Sequence, residues 1–412
     1  MRRAVVRFSG GPPITLCGIS TVSIVAPLFL IILGAIAIGW FVIAFTGHGA
    51  RRIVCSIVGV LFVLLTVAAV VNAHYEYKAT LGSLWGDVGA NVVSSGSLEK
   101  STHTTGTVAP GQTTTTAPPG CDKIPDTGEV AGPIDVPGTK SGVGVRNVWV
   151  YLPPAWCTND NTMYPVVIYL HGTPSPEGSK DFLGAMELVK NVDAFAAAHN
   201  GKAPVIVMPN VGAPNDTECA DSAKYGNNET YVSEDVAGWI ENWDVLTGRV
   251  QPPGKGWAVG GYSMGGTCGL MLTLRHPDVW HTFADYGGDA FGTGDGLSPD
   301  QQRSQTIRDL FNGNAQQFDE RDPTKVMAGK KLSDLGGWFG VGGNDRGTMA
   351  DQRRYFDEAT QAGMSVCFDV IPDQDHTFIA WKPTFVNSLP WIAARTGLIP
   401  MTPDIQATCK KP

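Results

Sequence analysis

Residues 259–269 read VGGYSMGGTCG, and within them Gly261-Tyr262-Ser263-Met264-Gly265 is a G-x-S-x-G pentapeptide. A serine held in such a setting can attack a carbonyl carbon and carry the acyl group as a covalent intermediate. In a chain with 50 glycines, roughly 0.3 matches arise by chance, so the motif has meaning only with partners. A serine hydroxyl needs a base, and the base needs an acid that orients it, following the serine in the order acid, then histidine. Three histidines follow Ser263, and His276 and His281 are too near in sequence to reach back over it. His376, directly after the apolar run VCFDVI, is the candidate base. Asp345, at the end of WFGVGGND some thirty residues earlier, is the candidate acid, with Asp351 as the fallback and Asp289 as a weaker third choice. Asp373 and Asp375 lie too close to His376 along the chain to orient its ring. The negative charge that develops on the attacked carbonyl needs two backbone donors. The expected pair is the N–H of Met264, next to the serine, and that of Thr173 in the His171-Gly172-Thr173 loop, with His171 bracing that loop.

These residues need a scaffold that brings chain-distant loops to one edge. After residue 121 the sequence alternates short apolar runs with amphipathic stretches, the pattern of an α/β fold around a mostly parallel sheet with helices on both faces. VRNVWVYLPP (145–154) alternates like an early, half-exposed strand, whereas PVVIYLHG and PVIVMPN are continuously apolar, as central strands covered on both faces must be. DFLGAMELVKNVDAFAAAH has helical spacing, and a second helix is expected near SEDVAGWIENWDVL with Ser233 or a neighbour as its N-cap. GWAVGGYSMGGTCGLMLTLRHP then reads as a strand over 257–260, the motif, and a helix from Met264 to about Arg275. Strand, tight turn and helix form the context a nucleophilic serine requires, and glycines two residues either side let the strand and helix close together.

The rest of the chain is of another kind. Residues 19–45 and 53–73 carry no charge and are long enough to cross a bilayer as helices, following a tail over 1–18. Residues 74–120 read as a linker; from 94 it is dominated by Thr, Ser, Gly and Pro and has almost nothing to bury, so it is expected to be extended and disordered. Residues 121–412 are large enough for one single-core domain. The net charge of −8 and the absence of a long basic run argue against nucleic acid as a partner. Of the eight cysteines, six fall in the domain, at 121, 157, 219, 268, 367 and 409, none in a Cys-x-x-Cys pair. Their even number points to disulfides and an oxidising compartment rather than to zinc, and neither metal nor cofactor is expected.

RNVWVYLPPAW…YPVVIYLHG, NETYVSEDVAGWI, WAVGGYSMGGTCGLMLTLRHPDVW and DHTFIAW…LPWI, in that order over about 145–392, resemble the Putative esterase family of α/β-hydrolases. The family includes esterase D-like carboxylesterases, feruloyl esterases and actinobacterial mycolyltransferases. The resemblance implies an α/β-hydrolase fold, Ser263 as nucleophile, His376 as base, Asp345 as acid, and Thr173 and Met264 as oxyanion donors. Two departures are visible: Asp375 stands where the family often has Gly before the histidine, and His171-Gly172-Thr173-Pro174 replaces the Asp-Gly-Leu-Arg of mycolyltransferases.

The expectation is therefore a serine carboxylesterase of the cell envelope, anchored by two membrane helices and acting on a small-molecule or lipid ester. An acyltransferase of the mycolyltransferase type is the alternative, and a non-catalytic binding domain on a hydrolase scaffold the second. Membrane orientation is contested within the sequence: Arg2, Arg3, Arg7 and Lys78 outnumber Arg51 and Arg52 and favour an inside domain. The domain cysteines and Thr-rich stalk favour an outside one, which is the orientation expected here, with Cys367–Cys409 and Cys121–Cys157 as the pairings.

Overall fold

The computed structural model describes residues 23–75, 77, 78, 81, 91–93, 126–158, 161–292 and 297–411. The chain divides into two compact units, Met1–Gly89 and Ala90–Pro412. The Thr-rich stretch and Cys121 lie outside the described residues.

In the first unit, helix α1 spans Pro27–Thr46 and α2 spans Gly49–Tyr75. The first apolar run was expected to turn helical from 19; residues 19–22 lie outside the described residues, and the helix starts at Pro27, with proline at a first-turn position where its missing N–H costs nothing. Gly47 and His48 join the two helices, which pack on each other through small residues: Ala37 and Ala44 on α1, Cys55 and Gly59 on α2 are buried. A Cβ at Gly59 would lie 3.1 Å from the Phe41 ring, so glycine is what admits this approach. Many of the other apolar side chains, among them Leu28, Ile31, Phe45, Ile53 and Leu64, are exposed.

The second unit is built on a nine-stranded sheet: β1 (Asn91–Val93), β2 (Glu129–Gly138), β3 (Gly144–Leu152), β4 (Val166–Leu170), β5 (Val205–Pro209), β6 (Gly254–Tyr262), β7 (Trp280–Tyr286), β8 (Gly336–Gly342) and β9 (Ser365–Ile371). They lie in the order β1-β2-β3-β5-β4-β6-β7-β8-β9, antiparallel only where β3 meets β2 and β5. The central strands are apolar throughout because both faces are covered. On β4, Val166, Ile168 and Leu170 join one core with Tyr231, Val236 and Met271. Tyr169 points to the other face, against Phe182 (ring centroids 5.0 Å apart) and Phe385 (5.5 Å).

The crossover helices differ from expectation in two places. The helical stretch from Asp181 is broken: a single turn, Asp181–Gly184, is followed by Glu187 at φ 47, after which α3 runs over Leu188–Ala198. Ser233 is not an N-cap. The helix α4 begins at Asn228 and runs to Asn242 with a π-turn over Tyr231–Val236, and Ser233 sits inside it, donating to the Glu229 carbonyl. The Ser-Glu-Asp signal marks a start that tertiary packing overrides, because Asn228 and Glu229 are already buried among neighbours. The remaining helices used below are α5 (Met264–Arg275), α6 (Arg346–Gln361) and α7 (Phe378–Arg395).

Candidate active site

Ser263 stands between β6 and α5 with φ 53 and ψ −129, a conformation that an L-residue adopts only when its surroundings impose it. The imposing contacts are backbone ones. A Cβ at Gly261 or at Gly265 would fall 2.0 Å from the Leu170 carbonyl oxygen, so the turn can form only if both positions lack side chains. The Ser263 N–H donates to the Tyr286 carbonyl at 2.9 Å, and its own carbonyl accepts from Gly266 at 2.7 Å. A serine at a helix N-cap normally spends its hydroxyl on the first-turn amides. Ser263 makes no such bond; its Oγ lies 3.0 Å from His376 Nε2 instead.

His376 is placed by two parallel strands that end side by side. β8 and β9 pair in register, and beyond them the Gly343 N–H donates to the Ile371 carbonyl and the Asn344 N–H to the Gln374 carbonyl. This zips the loop carrying Asp345 to the loop carrying His376. Asp345 Oδ2 lies 2.6 Å from His376 Nδ1. The Asp345 side chain is 11% exposed and that of His376 37%, so the carboxylate is shielded while the ring reaches solvent. Trp381 packs edge-on against the imidazole at 4.9 Å. Asp351, the fallback acid, is engaged elsewhere, accepting from the Ala290 N–H at 3.2 Å and from Arg354 at 3.0 Å. The Asp289 carbonyl accepts from the Thr267 hydroxyl.

The segments expected to supply the oxyanion donors lie beside the serine, Met264 next to it in the chain and the His171-Gly172-Thr173 loop across from it. Gly172 lies so close that a Cβ there would be 3.0 Å from that of Ser263, which brings the His171-Gly172-Thr173 loop directly over the nucleophile position. Among the described residues, neither the Thr173 nor the Met264 N–H donates to a protein acceptor. His171 is fully buried, and its Nε2 accepts from the Val211 N–H at 3.0 Å while Nδ1 lies 2.9 Å from the Gly172 carbonyl. A backbone N–H can only donate, so the ring is neutral with its proton on Nδ1. Burial depresses its pKa to about 4, which keeps it neutral at physiological pH. His171 thus ties the loop after β4 to the loop after β5. The disulfide Cys219–Cys268 continues that support by fixing the chain beyond β5 to the first turns of α5.

Several residues that shape the site were not singled out in the sequence. Glu229 lies 3% exposed and accepts from Arg275 at 2.5 Å, His276 at 2.9 Å and Arg321 at 2.8 Å, anchoring the far end of α5. His276 is thereby accounted for. Asp285, at the end of β7, is wholly buried beneath the elbow; its Oδ1 accepts from the Gly288 N–H and from Gln352 of α6, both at 2.7 Å. Burial lifts this carboxyl to about 7 despite those two bonds. Tyr262 is held by Asp181 at 3.2 Å and stacks on Trp381 at 5.0 Å. No local pattern distinguishes Glu229 or Asp285, because their side-chain partners arrive from 46 to 92 residues away.

A mostly parallel sheet with a serine on a strand–turn–helix elbow, and a histidine and an aspartate on the loops beyond two later strands, defines an α/β-hydrolase. The model of the Putative esterase family matches residues 143–392, and the chain belongs to that family. An uncharacterized protein of Corynebacterium glutamicum is 29% identical over 368 residues, covering 85% of this chain and 78% of its own. That share is too large to fit within residues 121–412, so the likeness reaches into the amino-terminal region. Among solved structures, a ferulic acid esterase superposes with a TM-score of 0.52 at 19% identity, covering 66% of this chain and 99% of its own. An S-formylglutathione hydrolase from Agrobacterium tumefaciens gives 0.51 at 15%, covering 66% and 95%. These two share the fold. Membership of the family makes the chain an esterase-type hydrolase or acyltransferase.

Proposed function

We propose that the protein is a membrane-anchored serine carboxylesterase whose nucleophile is Ser263, with His376 as base and Asp345 as the acid that orients it. The observation that carries this reading is the unbroken hydrogen-bonded line from Ser263 Oγ through both nitrogens of His376 to Asp345 Oδ2, at 3.0 and 2.6 Å. In the reaction, Nε2 takes the hydroxyl proton as Oγ bonds to the ester carbonyl carbon. The oxygen that becomes negative is met by the N–H groups of Met264 and Thr173, at the positive end of α5. The protonated His376 then gives its proton to the departing alcohol, leaving an acyl-Ser263. Water, deprotonated by the same imidazole, attacks that ester; as the acyl–Oγ bond breaks, the imidazolium returns the proton to Ser263 Oγ and the acid is released. Asp345 holds the Nδ1 side of the ring and stabilises the imidazolium.

The outward-facing apolar side chains of α1 and α2 support anchoring in a membrane, since nearly all of that surface would otherwise be wet. The Cys219–Cys268 and Cys367–Cys409 disulfides support an oxidising, extracytoplasmic location for the domain. The sequence His171-Gly172-Thr173-Pro174 favours hydrolysis of short to medium acyl esters over transfer to a sugar. The test is turnover of nitrophenyl esters of graded chain length by the full chain in detergent, with and without trehalose at high concentration. Free acid should dominate, and Ser263→Ala should lower turnover by a factor of order 10⁶. Acylated sugar as the main product would replace hydrolysis by transfer, and full turnover by Ser263→Ala would remove the serine from the chemistry.

A further inference from the structure

At the opposite end of the strands from Ser263, three neighbouring parallel strands begin around a cleft of about 240 Å³ lined by Lys255, His281, Thr282, Ser333, Asp334 and Arg395. Lys255 and His281 are the second residues of β6 and β7, and Arg395 is the last residue of α7. Eight residues of extended chain separate Lys255 from Ser263, roughly 25 Å. The site is therefore distinct from the candidate active site.

Its charges are poorly compensated from within. Lys255, His281 and Arg395 face one acid, Asp334, and among the described residues none of them makes an ion pair with it. Arg395 is held in place: Nη2 donates to the Asp334 main-chain carbonyl at 2.8 Å, and the guanidinium lies against Gly336, where a Cβ would come within 2.6 Å of Cζ. Fixing an arginine that no carboxylate neutralises costs free energy unless something else meets it. Buried polar atoms here also lack partners, namely Arg395 Nε, His281 Nδ1 and Thr282 Oγ1. Such atoms are rare in a folded interior, and a cluster beside three basic side chains has the composition of an anion receptor.

We propose that this cleft binds a small oxyanion of the phosphate or sulfate type between Lys255, His281 and Arg395. The volume sits below that of drug-sized ligand pockets, which suits a free ion rather than a cofactor or a lipid. His281 supplies a handle on occupancy. Its burial and the charges of Lys255 and Arg395 hold its pKa down, while Asp334 opposes them. An anion among these groups favours the imidazolium, so binding takes up a proton and tightens as pH falls.

Sulfate is the probe, because it stays doubly charged across the range used; inorganic phosphate is run beside it. Calorimetric titration of the full chain in detergent, at fixed ionic strength in chloride, should show one saturable site. Affinity should be several-fold higher at pH 6 than at pH 8, and at least tenfold lower in Arg395→Gln and in Lys255→Gln. Lys255 is exposed, so its variant keeps the test valid if Arg395→Gln fails to fold. Absence of saturable uptake, or equal affinity in the wild type and Lys255→Gln, overturns the site. Sulfate affinity independent of pH would take His281 out of it and overturn the three-cation reading.

Discussion

Replacing Asp285 by Asn should stabilise the domain at alkaline pH, although it alters a wholly buried residue beneath the nucleophile. The carboxyl has a pKa of about 7 in the folded protein against 3.8 in the unfolded chain, chiefly through burial. Between those values the folded state keeps a proton that the unfolded state has lost, so stability falls as pH rises through the window. A difference of roughly three units at 1.36 kcal/mol each makes the ionised form cost on the order of 4 kcal/mol once pH exceeds 7. Asparagine keeps an oxygen for the Gly288 N–H and Gln352 and cannot ionise. Any packing cost of the change is the same at every pH, so the quantity to read is how the difference between variant and wild type moves. Urea unfolding of the unit 90–412, followed by tryptophan fluorescence at pH 4, 6 and 8.5, measures it. The variant should gain on the wild type by up to about 4 kcal/mol between the extremes. Parallel stability curves would refute the reasoning and mean that Asp285 is ionised in the fold at little cost.

Two further outcomes are expected. Asp345→Asn should lower kcat by orders of magnitude, of order 10⁴ in the comparable protease substitution, whereas Asp351→Asn should leave it within a few-fold; steady-state kinetics on one nitrophenyl ester decides, and the reverse ranking would move the acid. Glu229→Gln should destabilise the domain by about 3 kcal/mol or more at pH 7, because Arg275 and Arg321 lose their shared counter-charge. Burial alone would raise the Glu229 carboxyl, but the His276 bond and the two arginines outweigh it and hold it at about 2, below its ordinary 4.5. Its contribution is thus complete above pH 4.5 and disappears as pH falls towards 2, and acid unfolding of the wild type but not the variant should carry that slope.

The α/β order and the elbow were legible because their determinants are local. Apolar runs of strand length flank the motif, and the glycines at 261 and 265 answer a clash with Leu170 that any such turn creates. His376 and Asp345 come together because each follows a strand, and the pairing of β8 with β9 carries both to one place. The Cys367–Cys409 pairing joins β9 to the end of the chain, whereas Cys219–Cys268 was not foreseen, since it depends on how the loop beyond β5 folds over α5. Cys157 is also disulfide-bonded, and its expected partner Cys121 lies outside the described residues. Ser233 shows the converse failure, a strong local cap signal inside a helix whose start is set by the buried Glu229 network. Asp285 and the Lys255–His281–Arg395 cleft left no trace in the sequence, because they assemble from strands and helices far apart in the chain.

The central claim is that Ser263, activated by His376, attacks the ester. Treating the full chain with a fluorophosphonate and locating the adduct by mass spectrometry tests it most directly. One equivalent of label should appear on Ser263, with loss of turnover in proportion to labelling, and His376→Ala should slow labelling by orders of magnitude. Stoichiometric label on another residue, or label and turnover both retained in Ser263→Ala, would contradict it.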